Sequence, residues 1–140
     1  MGIPSRRGED LAHLEAAHAR DPEDLPLASR LACAYVGFGR LDDALVLMER
    51  LVARSPSNQH YKANLGYCLM ALGEIEEAER LLRSVLEVVP DDSDAQVNLA
   101  LVWARMGRLD EAIRLCSQIV ERQPENVDAL NNLACVWREK

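Results

Sequence analysis

Apolar residues recur along this chain at spacings of three and four, in blocks set apart by short polar interruptions. After Gly39 the block is Leu41, Ala44, Leu45, Met48, Leu51 and Val52. After Gly73 it is Ile75, Ala78, Leu81, Leu82, Val85 and Leu86, and after Gly107 it is Leu109, Ala112, Ile113, Cys116, Ile119 and Val120. This is the period of a helix with one buried face. A second set of helical stripes lies between these blocks, with Leu65, Leu69 and Leu72 in one and Val97, Ala100, Leu101 and Ala104 in another. The stripes predict short helices joined by tight turns.

The punctuation is periodic too. Gly39, Gly73 and Gly107 stand 34 residues apart, as do Ala44, Ala78 and Ala112, and Pro56, Pro90 and Pro124, with Pro22 one period upstream. A glycine just past a helix supplies the left-handed conformation that a C-terminal cap needs. A proline pushes the residue before it out of the helical region. The unit is therefore a first helix closed by glycine and a second helix closed before proline. Ser93 with Gln96 is the clearest N-capping pair for a first helix. A fixed period of this length marks an array in which each unit buries its apolar face on its neighbours. The expected organisation is a flexible N-terminus at 1–8 and one domain over 9–140. That domain comprises a partial leading helix at 9–24, repeats at 25–58, 59–92 and 93–126, and the first helix of a partial fourth unit at 127–140. The leading segment matches poorly, since Asp10 takes the alanine position.

The repeat frame resembles that of the tetratricopeptide repeat family. With Leu25, Gln59, Ser93 and Val127 as repeat starts, the seventh position is Leu31, Leu65, Leu99 and Leu133, and the eighth is Ala32, Gly66, Ala100 and Ala134. The eleventh is Tyr35, Leu69, Trp103 and Trp137, the twentieth Ala44, Ala78 and Ala112, and the thirty-second Pro56, Pro90 and Pro124. The fourth-position tryptophan of the family is replaced by Ala28, Lys62, Gln96 and Leu130, and its small twenty-seventh residue by Leu51, Val85 and Ile119. The resemblance implies an all-α, right-handed α-solenoid, with first helices near 25–38, 59–72, 93–106 and 127–139 lining a concave groove for a peptide or a partner's helix.

Three asparagines fall in that groove's register. Asn64, Asn98 and Asn132 occupy the sixth position of successive repeats, with Arg30 there in the first. An amide carries both a donor and an acceptor, so stacked amides can pair with the N–H and C=O of an extended segment. The arrangement resembles the asparagine ladder in the repeat domain of protein O-GlcNAc transferases. The bland alternative is local hydrogen bonding within the helix pairs. Tyr67, with Leu101, Cys33 and Cys135 at equivalent places, is a further groove candidate or merely part of the wall. The lysines and asparagines of a carboxylate clamp are replaced by Ser29, Cys33 and Val97.

The last helix is expected to pack Leu130, Leu133, Val136 and Trp137 back on the third repeat; either it serves as a makeshift cap or the chain was cut from a longer array, and the cut is the favoured reading. Two alternatives to a binding scaffold stay open: a self-associating array, with homo-oligomerisation through the terminal helix, and the repeat region of a larger enzyme such as a glycosyltransferase.

Composition narrows the classes further. Nearly half of the 140 residues are apolar, enough for a core, and no segment reaches the roughly 20 apolar residues of a membrane span. The opening MGIPSRRGED has no apolar stretch behind it and is not a secretory signal. A cytoplasmic protein is expected. The formal net charge of −7 opposes nucleic-acid binding. Arginines such as Arg50, Arg54, Arg80, Arg83, Arg108 and Arg114 lie beside acids, as ion pairs would. No metal and no cofactor is expected: Cys33, Cys68, Cys116 and Cys135 form no CxxC pair and read as buried thiols. His13, His18 and His60 complete no nucleophilic motif, and Asp42–Asp43 and Glu76–Glu77 read as helix N-terminal charges, so no catalysis is expected.

Overall fold

A computed structural model describes residues 3–139, with side chains from Asp10 onward. Eight α-helices and no strands occur among the described residues: α1 (Ile3–Arg20), α2 (Leu25–Gly37), α3 (Leu41–Arg54), α4 (Gln59–Ala71), α5 (Ile75–Val88), α6 (Ser93–Arg105), α7 (Leu109–Arg122) and α8 (Val127–Glu139). The chain is an all-α solenoid fold of the expected repeat type. First helices α2, α4, α6 and α8 start at the four repeat starts read from the sequence. Helix α1 begins at Ile3, so most of the segment expected to be a flexible N-terminus is helical.

Each turn from a first to a second helix is built the same way. Gly39, Gly73 and Gly107 have φ of 76°, 93° and 83°. The N–H of the following residue donates back to the carbonyl five residues earlier: Arg40 to Tyr35 at 2.8 Å, Glu74 to Leu69 at 2.9 Å and Arg108 to Trp103 at 2.8 Å. The glycine N–H bonds the carbonyl three residues earlier, which completes a Schellman closure. The other turn is set by proline. Ser55, Val89 and Gln123, each just before a proline, have left the helical region, with φ of −137°, −127° and −134°.

The caps of the first helices correct the sequence reading. Ser93 is the first residue of α6, not its cap; Asp92 accepts from the N–H of Ala95 at 3.1 Å. The same bond recurs one period apart, from Leu27 to Asp24 at 3.1 Å, Tyr61 to Asn58 at 3.1 Å and Ala129 to Asn126 at 3.0 Å. Gln96 reaches the Pro90 carbonyl instead. An Asx residue before each proline-to-glycine helix is thus a fourth periodic mark, and such caps each contribute about 1 kcal/mol.

The chain forms two compact units, Met1–Cys68 and Leu69–Lys140, with α4 running through the boundary. In the first unit α2 packs on α1 and on α3. Leu31, Ala32, Ala44, Met48 and Leu51 are buried there, and the Cys68 thiol donates to the Leu41 carbonyl at 3.6 Å. In the second unit α6 packs on α5, α7 and α8, and α7 also packs on α8. Val97, Ile119 and Ala129 form a buried cluster from those three helices, with Leu115 and Val120 against it. Ala44, Ala78 and Ala112 have no exposed surface, which is the close approach that small residues allow. The bulky twenty-seventh residues Leu51, Val85 and Ile119 are equally buried and fill the interior.

The end helix departs from expectation. Ala129 and Val136 of α8 are buried, but Leu130 is 41% and Trp137 55% exposed. The apolar residues expected to pack back on the third repeat therefore divide between two faces, and only one of these is covered. Trp137 does not act as a buried cap.

The glycine turns give a direct stability test. A Cβ at Gly73 meets nothing within 4 Å, so a substitution there acts through backbone conformation alone. Gly73→Val is expected to cost about 1–2 kcal/mol because a side chain disfavours positive φ. Gly37→Ala, at a helical glycine with equal space, is expected to be neutral or stabilising by up to about 1 kcal/mol. Melting curves showing the two variants shifted together would contradict this account of the turn.

Candidate functional site

The sixth-position residues lie on first helices and are neither core nor fully solvated. In the first unit Arg30 on α2 is exposed, while Asn64 and Tyr67 on α4 are half-buried. In the second unit Asn98 on α6 and Asn132 on α8 are half-buried. The leucine beside Asn98, Leu99, is only 3% exposed, which fixes the helix rotation that holds Asn98 at the surface.

Two asparagine amides reach toward the preceding first helix. Asn64 Nδ2 lies 4.0 Å from Cys33 Sγ on α2 and 3.4 Å from His60 Nε2 on its own helix. Asn132 Nδ2 donates to the Val97 carbonyl of α6 at 3.4 Å. These are long contacts and weak bonds.

Cys33 and Cys135 also lie on exposed first-helix positions, which corrects the expectation of four buried thiols. Only Cys68 and Cys116 are buried. Partial desolvation still pushes the Cys33 thiol up, and full burial pushes Cys116 up to about 11. Neither is a ready thiolate at neutral pH. Among the described residues no group of three or more His, Cys, Asp or Glu side chains is placed to hold a metal ion. No helix among them is long and apolar enough to cross a membrane.

Sequence reasoning missed a polar assembly around the eleventh-position aromatics. In the first unit the Tyr35 hydroxyl donates to Glu15 at 2.8 Å, and Arg40 stacks over the Tyr35 ring at 4.6 Å while bonding Asp43 at 2.9 Å. In the second unit the Trp103 indole N–H donates to Glu79 at 2.9 Å. Arg108 stacks on that ring at 5.0 Å and bonds Glu79 at 2.9 Å and Glu111 at 2.7 Å. Tyr35, Arg40 and Asp43 stand two periods before Trp103, Arg108 and Glu111. Aromatic, arginine and acid at these offsets are the signal that was available. The intervening repeat has Leu69, Glu74 and Glu77 there and cannot build the assembly. Arg54 pairs with Glu23 in the first unit, and Arg83 with Glu79 at 3.2 Å in the second, as the ion-pair reading expects. A shallow recess beside Trp103, lined by Glu111, Arg114, Leu115 and Gln118, holds none of the asparagines.

A tetratricopeptide repeat family model matches residues 11–63 and 35–102, and a second model of the same description matches 94–126. The chain belongs to the tetratricopeptide repeat family. Solved structures agree. A tetratricopeptide repeat protein from Parabacteroides merdae superposes with a TM-score of 0.79 at 19% identity, covering 96% of this chain and 52% of its own. This chain thus spans about half the length of that protein. MamA AMB-1 gives 0.70 at 26% identity, covering 96% of this chain and 80% of its own. YrrB, described as a TPR protein with an unusual peptide-binding site, gives 0.63 at 21% identity over 96% of this chain and 70% of its own. No curated protein matches the sequence. The fold and these neighbours support a protein-interaction repeat scaffold, and proteins of this repeat class are generally non-catalytic.

Glu79 makes the aromatic assembly testable by pH. The Trp103 indole N–H, helped by Arg83 and Arg108 and opposed by burial, holds the Glu79 carboxyl below its usual range. A carboxylate with a depressed folded pKa stabilises fully above its unfolded value of about 4.3, and the gain is lost as pH falls through the folded value. Glu79→Ala is expected to cost about 1.5–3 kcal/mol at pH 7. The gap from the native chain should close in melting curves taken toward pH 3; a gap independent of pH would contradict this role.

Proposed function

We propose that the first-helix face of each unit holds an extended segment of a partner protein, gripping its main chain. In the first unit the gripping residues are Arg30, Asn64 and Tyr67; in the second they are Asn98 and Asn132. The observation that carries this reading is the asparagine register combined with the long internal contacts of Asn64 and Asn132. Nδ2 of Asn64 and of Asn132 makes long contacts, at 3.4–4.0 Å. A peptide carbonyl at about 2.9 Å is a better acceptor for the same N–H, and the amide oxygen can accept a peptide N–H at once. Arg30 adds an exposed cation for a carboxylate on the segment, and Tyr67 adds ring surface with a hydroxyl. The net charge of −7 favours a protein partner over nucleic acid. The peptide-binding site named for YrrB is a precedent for the fold.

Selection of binders from a random peptide library on the native chain tests this. For a selected peptide, each single change among Asn64→Ala, Asn98→Ala and Asn132→Ala is expected to cost about 0.5–1.5 kcal/mol. The triple variant is expected to lose roughly one to three orders of magnitude in affinity, with circular dichroism unchanged. Undiminished binding by the triple variant contradicts the proposal. Unfolding of that variant would assign the asparagines to helix pairing instead.

A further inference from the structure

The amide-bearing face of the second unit carries a charge pattern of its own. Asp94 stands one helical turn before Asn98 on α6, and Asp128 one turn before Asn132 on α8. Residues four apart share a helix face, so each asparagine has an aspartate beside it toward the helix N-terminus. Both aspartates are exposed. Among the described residues neither enters an ion pair, whereas Glu79, Asp91 and Glu111 of the same unit each meet an arginine. The far ends of the two helices carry exposed Arg105 and Arg138, about 15 Å further along at 1.5 Å per residue. The face is acidic on one side of the amides and basic on the other. Its exposure does not come from where the sequence ends. Helix α6 has α5, α7 and α8 packed against it, and Asp94 is exposed all the same. Nor is the charge a general need of first helices. The helix dipole favours an acid in the first turn, yet α2 and α4 have none there, with Pro26 and His60 in that register.

With the main-chain grip proposed above as its basis, we infer that the segment held by the second unit is basic. Lysine or arginine stands at two positions of that segment, two or four residues apart, and reaches Asp94 and Asp128. The spacing follows from geometry. Neighbouring helix axes lie about 8–10 Å apart. An extended segment advances about 3.3 Å per residue and places alternate side chains on one side. Two or four residues therefore bracket the distance between the aspartates, and the long, flexible basic side chains take up the remainder. The amides hold the main chain, while the carboxylates select the side chains and set which edge of the segment faces the helix N-termini. Basic side chains on the other edge would meet Arg105 and Arg138 instead. The formal net charge of −7 makes a second copy of this chain a poor source of such a segment and favours a different, basic protein.

Peptides selected from a random library on the native chain are sequenced, and their affinities are measured at low and high salt. Lysine or arginine two or four residues apart is expected among them. Asp94→Asn combined with Asp128→Asn is expected to weaken a selected peptide roughly 2- to 30-fold at low salt, as two exposed ion pairs allow. The difference is expected to shrink as salt screens the pairs. Glu87→Gln combined with Glu121→Gln changes the net charge equally at exposed second-helix positions and is expected to leave affinity unchanged. Circular dichroism is expected to be the same for both double variants. Selected peptides without the basic pattern, or an aspartate variant that weakens them no more than the glutamate variant does, overturn the inference. If such peptides are still lost on the triple asparagine variant, the main-chain grip stands without it. Peptides that the triple variant retains, or a library that yields none, overturn both.

Discussion

Three residues with positive φ set the geometry on which everything else depends. Gly39, Gly73 and Gly107 turn the chain back after each complete first helix, and the hydrogen bonds across each turn saturate carbonyls that a helix end would leave orphaned. Because the turn has one conformation, the second helix meets the first in a fixed register. That register is what brings Ala44, Ala78 and Ala112 to complete burial. An alanine stripe alone would not specify the partner face. A turn of fixed geometry followed by a small residue five positions on does, and the proline closure then returns the chain for the next unit.

Much of this was readable from residues because the constraints are local. A glycine that needs positive φ, a residue displaced by proline and a stripe at three and four can each be read without knowing what lies across the interface. The helix starts at Leu25, Gln59, Ser93 and Val127 follow from such marks. The caps were missed for a different reason. Ser93 with Gln96 has the right residue types, but Asp92, one position earlier, holds the extended cap conformation and accepts from the Ala95 N–H. Comparing all four units would have found it, since Asp24, Asn58 and Asn126 hold the same place.

What the sequence could not supply was the identity of neighbours far apart along the chain. The carboxylate under Tyr35 comes from Glu15 and that under Trp103 from Glu79, and these two acids are not in register with each other. No periodicity could pair them. The end helix failed likewise. The apolar stripe of α8 is legible, but whether it is covered depends on what stands beside it, and Trp137 at 55% exposure lies on the uncovered side. Of the candidate site, the sequence gives the asparagine register, while the lengths of the amide contacts come only from coordinates.

The contrast between strong and weak contacts organises the surface. Buried alanines and charge-assisted bonds near 2.7–2.9 Å hold the helix pairs, whereas the amides of Asn64 and Asn132 make contacts of 3.4–4.0 Å that a ligand can replace. The most direct measurement is the side-chain amide region of a ¹⁵N-labelled NMR spectrum during titration with a library-selected peptide. The account predicts that the NH₂ signals of Asn64, Asn98 and Asn132 shift together with occupancy while those of Asn58 and Asn126, which cap helices, stay in place. Shifts confined to second-helix residues, or a titration that leaves the three amides unmoved, would contradict it.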